Sequence, residues 1–383
     1  MSYYFSITIL TSLRPCLSHF FICVSCMCNG FIIFKLSVSV KFAAIIFRHG
    51  DRTPVETYPT DPWRNESLWP VRFGELTNIG KNQHYGLGKW FRQRYSVNFD
   101  PTEIYVQSTD VDRTLMSAQA NLAGLYPPTN KTEWNTQIHW TPIPIHTVPE
   151  KEDEILAMKK PCPAYDKELE SYLPTLKLKQ NIYLFFSYLS AYTGMKVKDY
   201  YDIVDIYSTL YIETLYNFTL PNWTQSVFPD KMREPASLYL LLKVGPLLKT
   251  IMGHMKDAMS APSKSKRKVV MFSGHDLTVG SVLNALGLYD GNCPSYTSTI
   301  LFELVESGNY VRISYRNTVE IVEPKVLKIP YCGEICPVGR FKKLYDNLLS
   351  VNWEDECKKE IFPNRQKNFF LYRNYFTLFL YLP

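Results

Sequence analysis

Two patterns of apolar and polar positions alternate along the chain. Short continuous apolar runs at Phe42 to Phe47, Glu103 to Val106 and Lys268 to Phe272 predict strands buried on both faces. Each run is followed by a stretch of helical character: Glu75 to Tyr95 despite glycines at 80, 86 and 88, about Val111 to Leu122, and Leu277 to Leu286. Thr299 to Val305 and Tyr310 to Tyr315 predict a pair of strands near the end. Residues 150–260 predict mainly helix and are rich in Tyr and Leu. No internal repeat is visible. This order predicts an α/β sheet domain carrying a helical insertion. In such sheets the active residues gather outside the carboxyl ends of the strands.

The two ends differ from this body. Residues 15–34 are uncharged and mostly apolar between Arg14 and Lys35, which fits either a signal peptide or a signal anchor. Phe369 to Leu382 is aromatic but interrupted by Arg373, too short a run for a membrane helix. The chain therefore divides into a targeting segment (1–40), a catalytic domain (41–360, with its helical cap at roughly 150–260) and a divergent tail (361–383).

Composition narrows the class. A 383-residue chain with 46% hydrophobic residues has ample material for a large core. The net charge of +6 is spread out; its densest run, Lys264, Lys266, Arg267 and Lys268, has no interleaved aromatics and reads as a solvated loop, so no nucleic-acid partner is expected. Nine cysteines fall into two groups, Cys16, Cys23, Cys26 and Cys28 near the start and Cys162, Cys293, Cys332, Cys336 and Cys357 in the body. No body spacing makes a zinc site. Four Asn-x-Ser/Thr sequons, at Asn65, Asn130, Asn217 and Asn222, are candidate glycosylation sites. With the possible leader and the scattered cysteines, they point to the secretory pathway.

The chemistry lies directly after the three buried strands. Arg48-His49-Gly50-Asp51-Arg52-Thr53-Pro54 follows the first, Ser108 to Thr114 with Arg113 follows the second, and Ser273-Gly274-His275-Asp276 follows the third. Three arginines and two histidines around one pocket repel each other unless an anion joins them. Phosphate suits them, because guanidinium forks match its oxygens bidentately. Arg48, Arg52 and Arg113 are then a phosphate clamp, effective where charge builds in the transition state. A neutral imidazole at His49 is a nucleophile toward phosphorus, and Gly50 is read as giving the backbone room beside the ligand. His275 can donate to another phosphate oxygen. Asp276 can protonate the leaving alkoxide and then activate water, which predicts an acidic optimum. Each piece alone has an ordinary explanation: a loop turn at Arg-His-Gly, a helix cap at Asp276, a surface charge at Arg113. Their joint order behind three strands does not.

These strings resemble those of the histidine acid phosphatases of the prostatic and lysosomal type, from about Lys41 to Cys357. Thr60-Asp61-Pro62, Gln83-His84-Tyr85, Ser108 through Ala118, Trp140 through Pro149 and Asn217 through Pro221 share the likeness. The resemblance implies a phosphoglycerate-mutase-like fold, a central mixed sheet flanked by helices with an inserted α-helical cap. It implies His49 as nucleophile, Asp276 as proton donor, and Arg48, Arg52, Arg113 and His275 as phosphate ligands, with no metal and no cofactor. It implies small-molecule or phosphoprotein phosphomonoester substrates and a secreted or lysosomal protein. A homodimer is implied near Trp140 and His146, and a membrane contact only through an N-terminal anchor.

The likeness also implies disulfides Cys162–Cys357 and Cys332–Cys336. A third family pair falls on Ile212 and Thr299, which leaves Cys293 unpaired. Glu234 to Gly245 looks shortened, and neither end matches. Two other functions stay open: a related phytase or mutase, and a secreted binding protein that kept the fold without turnover.

Overall fold

The structure is a computed structural model that describes residues 39–95, 100–165, 167, 179–233, 244–260, 267–305, 308–350 and 352–358. The targeting segment up to residue 38, the tail 361–383, Lys264 and Lys266, and residues 234–243 of the shortened stretch lie outside them.

Strand β1 (Val40–Arg48) shows why the first apolar run is continuous. Phe42, Ala44 and Ile46 face one hydrophobic cluster and Ala43, Ile45 and Phe47 the other, all 0% exposed. A period of two thus distributes one strand between two cores. The same partition holds in β4 (Val269–Gly274), with Val270 and Phe272 on one side and Val269 and Met271 on the other. Fully burying such side chains stabilises the fold by about 1.5–3 kcal/mol each.

The sheet runs β3-β2-β4-β1-β5-β6-β7, with β8 paired to β6. Here β2 is Ile104–Ser108, β3 is Ile145–His146, β5 is Thr299–Val305, β6 is Tyr310–Arg316, β7 is Lys325–Val326 and β8 is Ile335–Pro337. The pairs β2·β3, β2·β4 and β1·β4 are parallel, whereas β1·β5 and β5·β6 are antiparallel. This is the mixed sheet implied above. Helices α1 (Asn78–Tyr95) and α2 (Asp112–Leu125) cover one face through Leu87, Phe91, Ala118 and Leu122. The buried polar position of β5, Glu303, is matched on that face by Arg94, Arg312 and Tyr95, which meets the cost of burying its charge.

The cap contains α3 (Lys179–Thr193) and α4 (Tyr200–Leu215). They pack with Tyr58, Leu189, Ile203, Ile206, Leu210 and Met232 in a separate cluster. Helix α4 starts where Asp199 accepts hydrogen bonds from the N–H groups of Tyr201 and Asp202, an N-cap. Helix α5 (Gly245–Met259) falls in the range expected for the cap, yet Leu247, Leu248, Ile251 and Met255 join the sheet cluster of Phe42 and Phe272. Leu156 and Met158 do the same. Helix α6 (Asp276–Ala285) follows β4 onto that face. Among the described residues no helix is long and apolar enough to cross a membrane.

Cys162–Cys357 and Cys332–Cys336 are disulfides and Cys293 is free. Closing so long a loop as 162–357 (sequence separation 195) constrains the unfolded chain by about 5 kcal/mol in the entropy model. Ile212, at one position of the missing family pair, is buried against Trp69 and Tyr296, so packing occupies that place.

Candidate active site

The parallel register brings the three clusters to one sheet edge. Arg48 stands beside Gly274, and Ser108 beside Ser273, so the residues that follow β1, β2 and β4 emerge together. Backbone bonds extend the order past the strand ends: His49 N–H donates to Gly274 O (3.0 Å), Thr109 N–H to Ser273 O (3.1 Å) and Thr297 N–H to His49 O (3.2 Å). His49, Arg48, Arg52, Arg113, His275 and Asp276 all come into this neighbourhood, as their mutual electrostatic effects show.

His49 is buried, and its Nδ1 lies 2.8 Å from Gly50 O. A carbonyl can only accept, so Nδ1 carries the proton and Nε2 keeps its lone pair. Burial pushes the imidazole well below its ordinary value, and the Arg113, Arg48 and Arg52 charges push it further. It therefore stays neutral in acid. The ring lies 5.5 Å from that of His275 and 5.7 Å from that of Tyr296, centroid to centroid.

Gly50 has a packing reason that its place in the string does not reveal. A Cβ there would stand 2.5 Å from Gly80 O, so the backbone of α1 requires glycine at this position. Gly50 N–H donates to Ser117 Oγ (3.1 Å) and Asp51 N–H to Gln83 Oε1 (2.9 Å), tying the loop to both helices on that face.

The guanidiniums are held but not saturated. Arg48 donates to Pro294 O (2.5 Å), pairs with Asp276 (2.8 Å) and lies over the Tyr296 ring (4.5 Å), a cation–π contact. Arg52 donates to Thr53 O (2.9 Å) and to Ser208 Oγ of α4 (3.1 Å). The Nε–H groups of Arg48, Arg52 and Arg113 are buried and have no acceptor among the described residues. Burial, and then the Arg52 charge, push Arg113 down to about 10. Cations crowded this closely, with donors left over, favour an anion among them.

His275 precedes α6, and Asp276 opens it. The helix N-terminus therefore adds its partial positive charge to the site. His275 Nε2 is 3.0 Å from Thr109 Oγ1, which is 2.7 Å from Thr114 Oγ1; Thr114 in turn donates to Val111 O (2.7 Å). Burial, then Arg113, lower His275 to about 3, so it is neutral. Burial alone would raise Asp276, but the Arg48 and Arg52 charges outweigh it and hold the carboxyl below its usual value. With the arginines unoccupied, Asp276 is ionised. Among the described residues no group of three or more His, Cys, Asp or Glu is placed to hold a metal.

Several contributors had no distinct role in the sequence. Thr109 and Thr114 lie inside the Ser108–Thr114 string, where their chain of hydroxyls is invisible without the turn geometry. Asp51 accepts from Thr77 (2.5 Å) and from Tyr216 OH (2.8 Å), joining the sheet domain to the cap. Tyr216, Ser208 and Tyr296 reach the site only because the chain folds back over it, and no local pattern marks them.

A model of the histidine phosphatase superfamily (branch 2) matches residues 39–185 and 176–316. The chain is 40% identical to the prostatic acid phosphatase of Homo sapiens over 347 residues, covering 84% of this chain and 89% of that protein. It is 37% identical to the lysosomal acid phosphatase of Xenopus laevis over 349 residues, 85% of this chain and 80% of the relative. Among solved structures, the phytase of Citrobacter braakii matches with a TM-score of 0.58 at 17% identity, over 83% of this chain and 99% of that one. A likeness at that identity speaks to the fold alone.

Proposed function

The chain belongs to the histidine phosphatase superfamily, branch 2, and we propose that it is an acid phosphatase that hydrolyses phosphate monoesters through a phosphohistidine on His49. One observation carries the roles assigned here. A neutral imidazole with its Nδ1–H bound to Gly50 O is surrounded by three guanidiniums whose buried Nε–H groups lack acceptors among the described residues. Phosphate engages Arg48, Arg52 and Arg113, His275 joins them when its Nε2–H turns from Thr109 Oγ1 to a phosphate oxygen, and the clamp aligns phosphorus with His49 Nε2.

In the first step the N–P bond forms as the ester O–P bond breaks, and Asp276 passes its proton to the departing oxygen. In the second, the Asp276 carboxylate takes a proton from water, which attacks phosphorus. Phosphate leaves, and His49 returns to its neutral form. The free site holds Asp276 ionised through the arginine charges. A bound phosphate group neutralises those same charges and adds a negative one, so Asp276 is protonated in the complex, the more so in acid.

The substrates are small-molecule or phosphoprotein monoesters. The disulfides and the prostatic and lysosomal relatives fit the secretory pathway. Within it, secretion or a lysosomal lumen is the destination proposed, with Asn65, Asn130, Asn217 and Asn222, all exposed, as glycosylation sites. A homodimer contact is assigned to the β3 edge, where His146 and Trp140 are exposed beside Trp134 and Ile138. Turnover of a chromogenic aryl phosphate near about pH 5 tests the function. Its absence from purified folded protein would favour the binding-protein alternative.

A further inference from the structure

The seam between the phosphate-clamp loop and the cap contains two acids that face each other without a cation. Asp61 is 2% exposed and Glu213, on α4, is 0% exposed. Their carboxyl groups are close enough to act directly on each other. Asp61 Oδ1 accepts from Trp63 N–H (2.7 Å), while Asp61 Oδ2 and both Glu213 carboxyl oxygens have no donor from any other described residue. Two carboxylates accept only, so their contact requires a proton between them.

The surrounding groups offer no alternative. Tyr58 OH is buried beside the pair and stays protonated, because burial and then the two acids drive it up. Arg64 acts on Asp61 from an exposed position while donating to Pro59 O (2.5 Å). Among the described residues no other charged or titratable group bears on either acid.

The pair sits where two parts of the molecule meet. The loop that begins with Arg52 reaches the cap through Thr209 Oγ1 to Glu56 O (3.0 Å), Thr60 N–H to Thr193 O (3.2 Å) and the Asp61–Glu213 contact. Arg52 itself donates to Ser208 of α4.

We propose that Asp61 and Glu213 share one proton and act as a pH-sensitive latch, fastening the phosphate-clamp loop to the cap in acid and weakening that seam as the pH rises. Burial, and then the Asp61 charge, push Glu213 up to about 9 from its ordinary value near 4.5. A carboxyl raised on folding contributes stability that is full below its unfolded value and is lost as the pH climbs toward its folded one. Each pH unit inside that window costs the folded state up to about tenfold in its folding equilibrium. His84, lowered to about 3 by burial, works in the opposite sense below its ordinary value near 6.5, so the latch is read from a difference between variants.

Chemical denaturation of the full chain and of Glu213→Gln at pH 5 and pH 8 tests this without reference to phosphatase turnover. Glutamine keeps a donor for Asp61 and cannot ionise. The variant's folding constant relative to wild type is expected to rise by at least about tenfold between the two pH values. Equal pH dependence of the two proteins overturns the latch. In parallel, the wild type at pH 7 is expected to show a protonated-carboxyl infrared band that Glu213→Gln lacks, and Asp61→Asn serves if that variant does not fold. A wild-type spectrum at pH 7 without such a band overturns the proposal with no variant at all.

Discussion

The sheet edge and the cap both line the candidate site but are built differently. At the edge, His49, Arg48, Thr109, His275 and Asp276 lie at or within two residues of the end of a strand, and backbone bonds to neighbouring chain segments fix the first three. In the cap, side chains rather than main chain reach the site: Ser208 to Arg52, Tyr216 to Asp51, Glu213 to Asp61. Its interior is held by Tyr58, Tyr188, Trp223 and Phe228 packed ring against ring. The edge is thus held to the precision of a sheet, while the cap reaches the candidate site through side chains carried on two packed helices.

Substitutions at the edge are expected to have the largest effects. His49→Ala removes the nucleophile and is expected to lower kcat by about four orders of magnitude, while inorganic phosphate still binds as a competitive ligand. Asp276→Ala is expected to lower kcat on alkyl phosphates by about 10²–10⁴-fold and much less on aryl phosphates, whose leaving groups need no proton. Equal losses would remove the proton-donor role. Arg113→Ala is expected to cost about 10²–10³-fold in kcat/KM.

The pH profile sharpens the same contrast. An ordinary histidine loses its nucleophilic form as the pH falls through about 6.5. Burial and then the arginine charges keep His49 neutral well below that, so kcat/KM on an aryl phosphate is expected to hold or rise from pH 6.5 to pH 5. An alkaline loss is expected instead in kcat on alkyl phosphates, as Asp276 of the complex gives up its proton.

Cap substitutions are expected to act more weakly and selectively. Tyr216→Phe removes one hydrogen bond to Asp51 and is expected to cost about 1 kcal/mol, or some fivefold in kcat/KM. Tyr207→Ala and Tyr211→Ala, on the cap helix whose Tyr211 senses Arg48 and Asp51, are expected to reorder preferences among leaving groups while leaving phosphate inhibition nearly unchanged. A uniform loss on all substrates would erase the distinction between the two regions.

The same difference decides what the sequence could reveal. Continuous apolar runs specify β1, β2 and β4 because both of their faces are buried, and each expected boundary lies within two residues of the observed one. The catalytic strings were legible because each directly follows such a run. Strands β3, β7 and β8 were not, since two or three residues cannot display a period. Helix α5 looked like cap because its amphipathic pattern does not say which core it faces. Arg52 and Ser208 are 156 positions apart, and the two acids of the seam meet across a similar span. Such contacts follow from how the cap folds back, which no local pattern encodes.

The central claim concerns a covalent bond between His49 and phosphorus, and trapping it tests the account most directly. The enzyme is mixed with a phosphate-labelled aryl monoester and quenched in alkali. The label is expected on the peptide that contains His49, stable in alkali and released by mild acid, as a phosphoramidate behaves. An acid-stable label, or one carried by a peptide without His49, would contradict it.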